Sequence, residues 1–157
     1  MRDPRYDILF EPLQIGPVRT KNRFYVVPHA TAMGMPALDE MIAFRKARAE
    51  GGWGVVCLEE TMIHETSDHA PLPDPRMYND KYIAGIELAH AGASGPAINH
   101  REHPLSPTGK IPHYFINPIS ARTIDRQDIT NFRQWYRDAA LRARKAGFDI
   151  IYVYCAH

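Results

Sequence analysis

Hydrophobic positions along this chain fall into short runs that end in polar residues, and the runs alternate with stretches of helical spacing. Leu13 to Thr20 places Gly16-Pro17 between two brief apolar runs and predicts a small capping hairpin. Phe24 to Val27, ended by Pro28, is rich in β-formers and predicts a first buried strand, followed by a small-residue loop from His29 to Gly34. From Pro36 to Glu50, residues Leu38, Met41, Ile42, Arg45 and Ala49 recur at helical steps, with Pro36 near the start and Gly51-Gly52 at the stop. Gly54 to Glu60 predicts a second strand with carboxylates at its exit, which makes a β-helix-β unit. Ala84 to His90 predicts a third strand. The last helix is marked by Ile129, Phe132, Tyr136, Ala139 and Ala143, with Asp125 or Asp128 as cap and Gly147 as stop. A final strand from Phe148 leads to Tyr154 and His157.

Two stretches break the pattern. Strands two and three need a crossover of roughly a dozen or more residues, usually helical, yet His64 to Tyr82 carries Pro71, Pro73 and Pro75 and no helical period. A crossover helix is therefore expected to be missing. Gly92 to Thr123 is rich in Pro, Gly and Ser and predicts a long structureless loop covering a site.

Alternating strands and helices with glycines at helix ends predict a parallel α/β sheet, either open and doubly wound or the start of a (β/α)8 barrel. No GxGxxG follows strand one and no GxxxxGK[ST] occurs anywhere, which removes support from nucleotide-binding open sheets. The partial (β/α)8 TIM barrel remains by elimination, and a whole barrel needs about 250 residues. The chain has 157 and stops at the carboxyl end of a strand, where ligands sit in such folds. Residues 1–157 are expected to be the amino-terminal part of one larger barrel domain.

Composition narrows the function classes. With 45% hydrophobic and 24% charged residues and a net charge of +1, the chain fits a globular domain and offers no footprint for nucleic acid or an anionic membrane. Cys57 and Cys155 lie in apolar runs, form no CxxC pattern and predict reduced core thiols, consistent with a cytoplasmic location. No stretch is long and apolar enough for a signal peptide or a membrane span.

Candidate chemistry lies at the strand exits: His29, Glu59, Glu60, Glu87, His90, Tyr154 and His157. Glu59-Glu60 reads either as one carboxylate facing a ligand, since strand alternation points only one of a pair inward, or as a solvated turn. Glu87 lies within an apolar strand, where a carboxylate needs a hydrogen-bond partner or a ligand. Tyr154 and His157 could donate hydrogen bonds to a substrate or a ring heteroatom. The pairs His64/His69 and His100/His103 have loose metal-ligand spacing but lie in polar loops without a matching donor set, so they read as solvated histidines and no metal site is expected. Phe132, Trp135 and Tyr136 read as core or interface residues.

Several of these stretches together resemble one family. Asp7 to Gly16, Lys21-Asn22-Arg23-Phe24, Val27-Pro28-His29, Glu50 to Gly54, Gly85-Ile86-Glu87-Leu88, Ala146 to Asp149 and Tyr154-Cys155-Ala156-His157 are similar, in order, to the amino-terminal half-barrel of the old yellow enzyme superfamily. Within it they resemble the trimethylamine, dimethylamine and histamine dehydrogenase branch. The resemblance implies an FMN-binding barrel that oxidises amines or reduces activated alkenes. It implies that Val27, Pro28, His29 and Ala30 lie against the flavin and that Glu87 bonds the flavin's pyrimidine edge. It also implies that Tyr154 and His157 face the substrate. Ala30 stands where trimethylamine dehydrogenase carries its flavin-linking cysteine, so FMN is expected to be held without a covalent bond. Glu60 replaces an aromatic wall of that enzyme's cation-binding bowl, which suits an amine bearing an N–H group over trimethylamine. Asn79 to Ala84 omits about one helix relative to the branch. An iron–sulfur cluster is an expectation for a full-length parent, not for this chain.

Three functions are thus in view: part of an FMN-dependent dehydrogenase of an N-methylated or secondary amine, with an ene-reductase-type NAD(P)H:flavin oxidoreductase as variant; an inactive structural or interaction module; and a non-flavin barrel enzyme such as a metal-dependent hydrolase. The expected partner is a small-molecule amine, and open barrel edges would favour self-association.

Overall fold

The computed structural model describes residues 3–31, 33, 37–64, 84–94, 102–109 and 121–155. A 3-10 helix at Pro4–Phe10, capped by the Asp3 carboxylate, opens the chain. It leads into the antiparallel hairpin of β1 (Leu13–Ile15) and β2 (Val18–Thr20), which turns at Gly16 with φ +54°. There follow β3 (Tyr25–Val26), α1 (Leu38–Glu50), β4 (Val55–Met62), β5 (Ala84–Ala89), a 3-10 turn at Gly92–Ser94, β6 (Leu105–Ser106), β7 (Arg122–Thr123), α2 (Arg126–Lys145) and β8 (Ile150–Val153). The helices and strands predicted from periodicity are all present, although β3 is shorter than the apolar run that signals it.

Strands β3, β4, β5 and β8 make a parallel sheet in that order. Each strand pairs with its predecessor, whereas a doubly wound sheet reverses its order partway. This is the succession of a barrel. The sheet is curved as a barrel wall is: the Tyr152 hydroxyl, from one outer strand, donates to the Tyr25 hydroxyl of the other. Two side chains from opposite edges can meet only across a concave face.

The register sorts the side chains. Tyr25, Val55, Cys57, Gly85, Glu87, Ile150 and Tyr152 share one face, since paired residues on parallel neighbours point the same way and alternate along each strand. That face is concave. The opposite face carries Leu58, Ile86, Leu88 and Ile151, which pack with Met41 of α1 and Ala139 and Ala143 of α2 in the main core. Met41 and Leu58 are essentially inaccessible to water.

The 3-10 helix and hairpin lie at the amino-terminal end of the sheet, where Phe10 packs edge-on against Phe24, and Phe24 against Trp53. Asn22 joins this end to the α1–β4 turn: its amide donates to Gly52 O at 2.7 Å, and its side-chain oxygen accepts from Phe24 N at 3.1 Å. Gly54 approaches so closely that an added Cβ would lie 2.6 Å from Asn22 O.

Helix α2 begins with a capping box. Asp125 accepts from Asp128 N at 2.8 Å, and Asp128 accepts from Asp125 N at 2.9 Å. Arg122 grips the Asp128 carboxylate with both guanidinium ends, at 2.6 and 2.7 Å. This hydrogen bond, followed by that from Asp125, holds the Asp128 carboxyl at about 2. Arg142, Arg144 and Lys145 in the last turn complement the helix dipole, and Gly147 with φ +94° ends the helix.

Four sequence expectations need correction. The stretch from Gly92 to Thr123 is not structureless, because β6 and β7 pair in parallel within it and Gly92–Ser94 makes a 3-10 turn. Ile129 is 51% exposed rather than core, because Asp128 takes the inward position of the first turn of α2. Cys155 is exposed, since β8 ends at Val153 and the apolar run continues past the pairing. His64 is no solvated loop residue: its half-buried ring stacks on Trp135 with centroids 3.7 Å apart. The expected absence of a crossover helix falls on residues 65–83, outside the described residues, as do His69, His100 and His157.

Candidate active site at the carboxyl end of the sheet

The concave face changes character along the strands. Its lower layer is filled by Tyr25, Cys57 and Tyr152, with Cys57 Sγ 3.6 Å from the Tyr25 hydroxyl. Burial pushes the Cys57 thiol and both phenols up, which keeps this layer uncharged. Beside Tyr152 and toward the strand exits, the same face carries carboxylates.

A bulge in β4 creates that change. Cys57 pairs with Gly85 and Glu60 with Glu87, so β4 takes one more residue than β5 over the same interval. The extra residue breaks the alternation. Glu60 enters the concave row beside Glu87, while Glu59 turns toward the β3 exit. The sequence expectation that one of the two faces inward holds for Glu60, but Glu59 is no solvated turn residue. It is buried, and its Oε2 accepts from Thr31 N at 2.5 Å and from the Thr31 hydroxyl at 2.9 Å.

Tyr154 follows Tyr152 by two positions and is held from both sides. Its N–H donates to Leu88 O at 2.9 Å, and its carbonyl accepts from the Tyr136 hydroxyl of α2 at 2.8 Å. Its phenol is pushed up first by burial and then by the negative charges of Glu60 and Glu87. The register pairs Glu60 with Glu87 and Glu87 with Tyr152, two positions before Tyr154, so the three lie at the same end of the sheet. Glu87 is 8% exposed, so the carboxylate predicted to be buried is buried.

At the β3 exit, Val27 is 57% exposed, and His29 and Ala30 are exposed, with Pro28 partly covered. His29 packs edge-on against Phe44 of α1, and its carbonyl accepts from Arg45 Nη2 at 2.9 Å. Arg45 sits on the buried stripe of α1, 3.6 Å from Glu59. Burial pulls its guanidinium down, against the opposing pull of Glu59. His90 belongs elsewhere: its ring packs on Phe132 of α2, and its Nδ1 accepts from Gly92 N at 3.0 Å. Thr31, Arg45 and Tyr136 were not singled out as site residues by sequence reasoning. Arg45 did leave a signal, a cation on the apolar stripe of a helix.

These groups suit a flavin by their own chemistry. An exposed apolar side chain at a strand exit offers a surface for a ring face. Across the same mouth, a buried carboxylate can accept from a ring N–H. Among the described residues no helix is long and apolar enough to cross a membrane, and no group of His, Cys, Asp and Glu could hold a metal ion.

The profile of the NADH:flavin oxidoreductase / NADH oxidase family matches residues 8–87 and 79–157. Dimethylamine dehydrogenase of Hyphomicrobium sp. (strain x) is 34% identical over 177 aligned positions, covering 99% of this chain and 24% of that protein. A 6-hydroxypseudooxynicotine amine oxidase from Pseudomonas geniculata N1 superposes with TM-score 0.90 at 80% identity, over all of this chain and 26% of the other. Histamine dehydrogenase from Rhizobium sp. 4-9 superposes with TM-score 0.88 at 41% identity, over 99% and 26%. The chain thus spans about a quarter of the length of these relatives. The family match breaks into two stretches that meet at residues 79–87, and 177 aligned positions against 157 residues leave at least 20 without a counterpart. With its strands in barrel order, its carboxylates at their exits and the family profile matched along nearly its whole length, the chain is a partial (β/α)8 barrel and belongs to the NADH:flavin oxidoreductase / NADH oxidase family.

Proposed function

We propose that this chain supplies one wall of a non-covalent FMN site in an oxidoreductase acting on an N-methylated or secondary amine. The observation that carries the reading is the shared mouth of Glu60, Glu87 and Tyr154 beside the exposed β3 exit. The amine class is supported by relatives whose names specify dimethylamine, histamine and an amine oxidase.

In this reading Val27, Pro28, His29 and Ala30 lie along the flavin, and Glu87 accepts from its pyrimidine edge. Ala30 offers no thiol, so the cofactor exchanges with solution. When bound, FMN supplies the acceptor for the electrons removed from the substrate. Glu60 accepts from the N–H of a protonated amine and offsets its charge. Tyr154, held neutral at ordinary pH by burial and by two carboxylates, orients the substrate as a hydrogen-bonding phenol and is no base there. In this reading the His157 imidazole takes the amine proton, histidine being the side chain type that ordinarily titrates near pH 7. A cytoplasmic location, an iron–sulfur cluster elsewhere in a longer parent and pairing through the sheet edges belong to the same proposal.

The test is an absorbance spectrum of the purified chain after FMN is added and excess removed by gel filtration. A retained flavin band, weakened at least tenfold in affinity by Glu87→Ala, supports the reading. A colourless folded chain refutes flavin binding by this polypeptide alone.

A further inference from the structure

The β3 exit is gripped on both sides of Ala30. On one side Arg45 Nη2 donates to His29 O at 2.9 Å, and on the other Glu59 Oε2 accepts from both the amide and the hydroxyl of Thr31. The two gripping groups also meet each other, at 3.6 Å, with side chains only 5% and 8% exposed. Arg45 comes from α1 and Glu59 from the β4 bulge, so the loop is tied to a helix and a strand at once.

Stability does not explain this pair. Among the described residues, the buried Arg45 Nε and Nη1 have no hydrogen-bond partner, a penalty that an apolar side chain on the same helical stripe would avoid. A buried ion pair is often replaceable by well-packed hydrophobic residues at no loss. What such residues could not do is hold the His29 carbonyl and the Thr31 amide. Fixing those two groups fixes the peptide units on either side of Ala30, while the Ala30 methyl itself remains exposed.

We propose that Arg45 and Glu59 are a positioning pair that sets the backbone at Ala30 against the flavin, and so tunes cofactor affinity and electronics without touching the cofactor. This rests on the flavin reading above. Neither residue is catalytic; both act through His29 and Thr31.

The decisive variant is the double change Arg45→Met with Glu59→Leu, which removes both charges together and leaves neither buried alone. Its urea midpoint, its FMN dissociation constant, the flavin absorption maximum and the hydrogen exchange of the loop amides are measured beside the parent chain. The expected result is a urea midpoint at or above that of the parent, FMN binding weakened at least tenfold, a displaced flavin band, and at least tenfold faster exchange at the Thr31 amide without flavin. Thr31→Val, which deletes one contact and no charge, gives a smaller shift in the same direction. Arg45→Lys, which keeps a donor for the His29 carbonyl, restores part of the affinity lost in Arg45→Met. Unchanged affinity and spectrum in a folded double variant overturn the proposal. Should the parent bind no FMN, the flavin reading fails separately, and unaltered Thr31 exchange in the flavin-free double variant then overturns the clamp as well.

Discussion

Gly85 stands opposite Cys57 on the concave face, and the space between them is gone. A Cβ built on Gly85 would lie 2.4 Å from Cys57 Sγ and 3.3 Å from Cys57 Cβ. Cys57 is fully buried, so its sulfur has no solvent to swing into. Its Sγ also lies in the layer with Tyr25 and Tyr152. In an open strand position, Gly→Ala stabilises a protein by about 0.4–1 kcal/mol through the unfolded chain. Here overpacking outweighs that gain, and Gly85→Ala is expected to destabilise by about 1–3 kcal/mol. Removing the sulfur should relieve the conflict. Cys57→Ala alone forfeits roughly one buried methylene equivalent, about 1 kcal/mol. In that background the tightest remaining contact with residue 57 is its Cβ at 3.3 Å, which a shift of a few tenths of an ångström relieves. The double-mutant cycle is therefore expected to show a favourable coupling of about 1–3 kcal/mol. Urea denaturation followed by far-UV circular dichroism measures all four corners. Equal destabilisation by Gly85→Ala in both backgrounds would mean that Cys57 is not the obstacle, and would refute its pairing with Gly85.

Three further outcomes follow from the same contacts. Asn22→Ala removes a donor to Gly52 O and an acceptor for Phe24 N, and should lower stability by about 2 kcal/mol at roughly 1 kcal/mol per hydrogen bond, read as a shifted urea midpoint. The Asp128 carboxyl is held at about 2, below the ordinary aspartate value of about 4; its contribution is present above pH 4 and lost as pH falls through about 2. Asp128→Asn should therefore flatten that acid limb in pH-dependent urea melts, and an unaltered limb refutes the assignment. The Tyr136 hydroxyl is pushed up to about 12, chiefly by burial, and it donates to the Tyr154 carbonyl. The advantage of the parent chain over Tyr136→Phe should be constant below about pH 10 and shrink as pH rises toward 12, measured by the same denaturation series.

Periodicity carried much of the fold because burial enforces it. The four sheet strands and both helices announce themselves through apolar runs and helical steps, and Asp125, Asp128 and Gly147 mark the ends of α2 as capping chemistry requires. What periodicity could not carry is the competition for one inward position. At the start of α2, Asp128 is drawn inward by Arg122 and the capping box, so Ile129 faces water although its spacing fits the stripe. At the end of β8, pairing stops before the apolar run does, leaving Cys155 outside. His90 lies one residue beyond β5, and the aromatic surface of α2 captures its ring. Each case turns on a partner distant in sequence.

The adjacent pair Glu59-Glu60 shows the same principle at the site. Were β4 an unbroken strand continuing from the Cys57–Gly85 pairing, Glu59 would fall opposite Glu87 and Glu60 opposite Leu88. Glu60 would then point to the convex face, which is packed with Leu58, Ile86, Leu88 and Met41 and has no water to spare for a charge. The bulge removes that conflict. By fitting both Leu58 and Glu59 into the interval that β5 fills with Ile86 alone, β4 sends Glu60 to the mouth beside Glu87 and leaves Glu59 at the seam between β3 and α1. Among the described residues, Arg45 and Thr31 make that seam habitable for a carboxylate. One extra residue thus splits a dipeptide into a group at the mouth and a group that holds the loop. Two single-residue deletions separate these roles. Made in an Arg45→Met background, so that neither deletion leaves the Arg45 charge buried alone, deleting Glu59 leaves Leu58 opposite Ile86, a regular apolar pairing that keeps Glu60 beside Glu87, so the sheet should persist while Thr31 loses its acceptor. Deleting Leu58 instead puts Glu59 opposite Ile86 and drives its charge into the apolar core, which should unfold the chain at far lower urea. Equal midpoints for the two deletions would refute the bulge as the device that keeps these carboxylates out of the core.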